Sequence, residues 1–91
     1  MSGSVSKSFA SKILDKRGHY IYLVKGMENG KDAWLYVRVD RHNKEMFEYG
    51  LKKDIFDVNT HGKLLYSGWG ENPPQDVVMA LRHKYVDQAT A

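Results

Sequence analysis

The 91-residue sequence contains no cysteine and only two prolines. The first absence excludes disulfides and thiolate metal sites, and it fits a reducing compartment. No run approaches the roughly 20 apolar residues that a membrane-spanning helix requires. The first ten residues are polar and lack the apolar core of a secretory signal. A cytoplasmic protein with no membrane partner is the resulting expectation.

Charge of one sign is also not in large excess. The formal net charge is +3, from 14 Lys and Arg against 11 Asp and Glu. The imbalance sits in residues 1–38, where seven cations (Lys7, Lys12, Lys16, Arg17, Lys25, Lys31 and Arg38) face three acids, Asp15, Glu28 and Asp32. The remainder of the chain carries one more acid than base. The basic character therefore belongs to the N-terminal segment and the first hairpin.

Hydrophobic residues make up 42% of the chain and charged residues 27%, an ordinary globular composition. A chain of this length buries roughly 65% of the surface its unfolded form exposes, enough for one modest core. The expected organisation is a polar tail over residues 1–8, one globular domain over 9–87 and a short tail over 88–91.

Apolar residues Phe9, Ile13 and Leu14 recur at helical spacing, which allows a short amphipathic helix ended by Arg17-Gly18. Residues 19–25 (HYIYLVK) and 32–39 (DAWLYVRV) are aromatic and β-branched, and read as strands. Between them, Asn29-Gly30 is the strongest hairpin signal in the chain. Asp40 is suited to cap a helix running to about Lys53, with Met46, Phe47, Gly50 and Leu51 as its apolar stripe. Residues 54–62 form a loop that Ile55, Phe56 and Val58 pin to the core. A third strand, residues 63–69 (KLLYSGW), leads through Asn72-Pro73-Pro74 to a last helix with Pro74 in its first turn. Its buried stripe is Val77, Val78, Leu81 and Tyr85. The expected fold is a small two-layer α+β domain of (α)ββαβα order. Three mainly antiparallel strands carry two helices on one face, and the short N-terminal helix packs nearby.

The hairpin contains a mismatch. With a two-residue turn, Tyr20, Tyr22 and Val24 share a face with Val39, Val37 and Leu35, and Ile21, Leu23, Trp34, Tyr36 and Arg38 occupy the other. A shift of one residue instead gathers Tyr20, Tyr22, Val24, Trp34, Tyr36 and Arg38 together. Neither register leaves a polar face. If both helices cover one face, the other must meet the N-terminal segment, a second copy of the chain or a ligand.

Catalytic patterns are missing. His19, His42, His61 and His83 lack metal-ligand spacing, and no nucleophile elbow or carboxylate pair organises the remaining polar residues. The turn Ser67-Gly68-Trp69-Gly70 has too few glycines at the right spacing for a phosphate loop, and Glu71, Pro73 and Pro74 oppose an anion there. Catalytic, cofactor and metal residues are therefore assigned to none. The expected function is a non-enzymatic binding or assembly module, ahead of an unrecognised small enzyme. Its candidate face comprises Tyr20, Tyr22, Trp34, Tyr36, Arg38, Lys25 and Lys31, and its partner is another protein or a second copy. Single-stranded nucleic acid is the alternative, because such a face could stack bases and meet phosphates.

Overall fold

A computed structural model describes residues 6–53 and 62–87. The expected loop contacts of Ile55, Phe56 and Val58 lie outside those residues. The fold is α+β, and the described residues form four antiparallel strands in the order β1-β2-β3-β4 rather than three. They are β1 (Ser6–Leu14), β2 (Tyr20–Glu28), β3 (Lys31–Val39) and β4 (Lys63–Trp69). Helix α1 (Lys44–Lys52) connects toward β4, and α2 (Gln75–Leu81) follows it and runs into a π-helical turn over Arg82–Val86. No helix among the described residues is long and apolar enough to cross a membrane.

The additional strand occupies the place of the expected N-terminal helix. β1 pairs with β2 from Ser6↔Met27 to Leu14↔Tyr20, with a bulge between Phe9 and Ser11. The extra residue breaks the two-residue alternation that marks a strand. Gly18 does not end a helix. It adopts φ +87° in the turn between β1 and β2, a conformation open to glycine at little cost. Asp15 organises that turn. Its buried carboxylate accepts hydrogen bonds from the backbone N–H groups of Arg17 and His19, both at 2.8 Å.

The β2–β3 hairpin turns through Asn29 (φ 56°) and Gly30 (φ 78°), as a two-residue loop of this composition requires. It adopts the first of the two registers, with Tyr22↔Val37 and Val24↔Leu35. One sheet face thus presents Tyr22, Val24, Val37 and Val39 to Phe47 and Leu51 of α1. The other presents Ile21, Trp34 and Tyr36 to Leu81 of α2, with Ile13, Val77 and Tyr85 packed around them. The two helices therefore lie on opposite faces, which corrects the expected placement on one. An apolar pattern on both faces needs cover on both, and each helix supplies one layer.

Two local expectations also change. The Asp40 side chain makes no capping hydrogen bond; a 3-10 turn over Arg41–Asn43 intervenes, and α1 begins at Lys44. Pro74 is extended and stands just before the first turn of α2.

Candidate interaction surface

The hairpin register divides the seven expected interface residues. Tyr20, Tyr22 and Lys31 belong to the α1 side of the sheet, and Lys25, Trp34, Tyr36 and Arg38 to the α2 side. Tyr22 is fully buried, and Trp34 and Tyr36 are 3% and 7% exposed. Those three rings are core. Tyr20, Lys25 and Arg38 are half-buried and Lys31 is exposed.

On the α1 side, Tyr22 packs on Phe47 with ring centroids 4.6 Å apart. Its hydroxyl donates to Glu48 Oε2 at 2.6 Å, and the same oxygen meets Lys12 Nζ at 3.3 Å. Lys12 also lies over the Tyr20 ring at 5.2 Å, and Lys44 approaches that ring at 5.7 Å. The aromatic and charged residues here satisfy one another across β1, β2 and α1.

These contacts set two titrations. Burial, reinforced by the Glu48 hydrogen bond and charge, pushes the Tyr22 phenol well above its ordinary value. The Tyr22 hydroxyl, helped by Lys12, holds the Glu48 carboxyl below its ordinary range. A raised phenol stabilises the fold below pH ~10 and loses that contribution as pH climbs beyond it. A lowered carboxyl stabilises above pH ~4.3 and loses its contribution as pH falls through the folded value. Tyr22→Phe is therefore expected to flatten the pH dependence of stability on both limbs. Urea unfolding between pH 3 and 11 measures it. A shallower alkaline slope remains from Tyr36, whose phenol burial also raises while Arg82 lowers it.

On the α2 side, Trp34 lies edge-on to Tyr36, with centroids 6.1 Å apart. The indole rests on β4 at Gly68, where an added Cβ would stand 2.5 Å from its Cζ2 atom. Gly68 is thus a packing residue within a strand, as well as part of the glycine-bearing stretch that ends it. Lys25 bonds the side chain of Asn72, just before Pro73 and Pro74, and ties β2 to the entry of α2. Lys16 N–H donates to the Tyr85 carbonyl at 2.9 Å, which fixes the other end of the covering helix.

The surface left open lies elsewhere. Trp69, opposite Ala33 on the α1 side, is 63% exposed at the end of edge strand β4. Nearby, Val24, Gly26, Met27, Ala33 and Leu35, with Glu28, line a mostly apolar depression of about 60 Å³. β4 further exposes Leu64 on the same side. The KLLYSGW pattern identified a strand, but its place beside β3 rather than β2 follows only once β1 fills the other side of β2.

Among the described residues, no cluster of three or more His, Cys, Asp or Glu side chains could hold a metal ion. Comparison with protein families, curated proteins and solved structures finds no match to this chain, so its functional reading rests on the geometry of its own surface.

Proposed function

We propose that the chain is a non-enzymatic binding or assembly module that contacts protein through the open part of its sheet around Trp69. The observation that carries this reading is a large indole left mostly in solvent beside an apolar depression. Exposed single apolar residues are ordinary, but a tryptophan beside an apolar depression at the end of an edge strand is a surface suited to contact. An edge strand also presents unpaired backbone groups that can receive another strand. This reading moves the contact from Trp34 and Tyr36, which the C-terminal helix covers, to a residue outside the candidate face.

Self-association is the first form to test. Sedimentation equilibrium over a wide concentration range should show a reversible dimer or larger species. Trp69→Lys should abolish it, while changing the unfolding free energy by no more than about 0.5 kcal/mol, as expected for an exposed position. A chain that remains monomeric throughout removes self-association. A Trp69→Lys variant that still assembles removes this surface.

A further inference from the structure

Arg38 on β3 and Lys63 on β4 are directly opposed in the antiparallel pair. Such neighbours hold their Cβ atoms about 4.5–5.5 Å apart, and two like charges there repel. Neither side chain has an acidic partner within ion-pair distance among the described residues. The two cations line a cleft of about 260 Å³ together with Asp40, Asn43 and Gly62.

The remaining walls of the cleft suit a ligand. Asn43 precedes α1 without using its side chain to cap it, so its amide is not committed to the helix. Gly62 lets the chain lie close against β3 at this edge of the cleft: a Cβ there would stand 2.6 Å from Val37 Cγ1 and 3.0 Å from the Arg38 carbonyl oxygen. Asp40 is the one carboxylate in the lining, and its Oδ1 lies 3.5 Å from His19 Nε2. It disfavours an anion on its own side of the cleft. The formal charge of the lining is still +1, from Arg38 and Lys63 against Asp40. A planar guanidinium beside a mobile ammonium and a neutral amide is a donor set suited to tetrahedral oxyanions.

We propose that this cleft binds a phosphoryl group, held by Arg38 and Lys63 with Asn43 as a neutral donor. Binding relieves the repulsion between the opposed cations and so couples occupancy to the stability of the β3–β4 pair. The group could belong to a free phosphate or phosphomonoester, or to the backbone of a nucleic acid. The proposal does not depend on Trp69 or on self-association.

The test is an amide NMR titration of the full chain with inorganic phosphate, a nucleoside monophosphate and a short single-stranded oligonucleotide. Each is compared with sodium chloride at matched ionic strength. Saturable shifts concentrated at Arg38, Asn43, Gly62 and Lys63 are expected, together with a phosphate-dependent rise in melting temperature. Stronger binding of the monophosphate identifies a small ligand; stronger binding of the oligonucleotide identifies a backbone phosphate. Arg38→Gln should weaken binding about tenfold or more, the effect of losing one charge-assisted contact. Lys63→Glu provides a second readout. It should raise the melting temperature in chloride by pairing with Arg38, yet abolish the response to phosphate. Shifts no larger than those from chloride, or a phosphate response that survives Lys63→Glu, would overturn the assignment.

Discussion

Truncating Leu81 to alanine is expected to destabilise the fold by about 2–5 kcal/mol, the range for a large aliphatic side chain lost from a core. The emission of Trp34 in the native state should also shift to the red. Leu81 is 1% exposed and packs in the same cluster as Ile21, Trp34 and Tyr36. It is the one fully buried residue of a seven-residue helix, so few other contacts can compensate for its loss. Helices this short have little stability of their own and depend on their packed face. Loosening α2 admits water to the indole of Trp34. Trp69 is already in solvent and contributes a nearly constant red component. Denaturant unfolding gives the stability loss, and fluorescence of the folded baseline gives the shift. An unchanged spectrum would mean that α2 does not shield Trp34.

The same cluster shows what could be read from the chain and what could not. Asn29-Gly30 identified the β2–β3 hairpin, because a two-residue turn with positive φ at both positions strongly favours those residue types. The choice between registers was open in the sequence, since apolar and aromatic residues occur on both faces of each strand. The register that forms separates Tyr22 from Trp34 and makes each the centre of its own core. The candidate face required them to be neighbours.

β1 was hidden for a different reason. Phe9, Ile13 and Leu14 match helical spacing, and the bulge near Ala10 removes the alternation that would have marked a strand. Asp15 and Gly18 carried the missing signal. An acidic side chain able to accept from the backbone, followed three residues later by glycine, also describes a tight turn between strands. Recognising that turn raises the count of strands from three to four and fills the free side of β2, which leaves β4 the free side of β3. Arg38 and Lys63 could not be paired from sequence either, because 24 positions and a helix separate them. Their opposition depends on where β4 meets β3, and a bulge between Tyr36 and Val37 offsets that register by one residue.

Phe47→Ala is expected to cost about 3–5 kcal/mol, the largest single loss considered, and to leave the emission of native Trp34 nearly unchanged. Phe47 is 1% exposed and fills the space between α1 and the sheet beside Tyr22, Val24, Val37 and Val39. Its removal takes away the ring contact with Tyr22 and leaves a cavity that four rigid strand side chains cannot close by small movements. The sheet itself stands between this cavity and Trp34. The two truncations should thus be similar in stability and opposite in spectroscopy: Leu81→Ala reports on the indole, and Phe47→Ala does not. Because both cores share β2 and β3, the double variant is a stringent test of their independence. Losses that add within about 0.5 kcal/mol would show that the sheet insulates one core from the other. A larger departure would show that β2 and β3 transmit strain between faces. In that case, packing on the α1 side could reach the Arg38–Lys63 cleft through the Val37–Arg38–Val39 segment that both share.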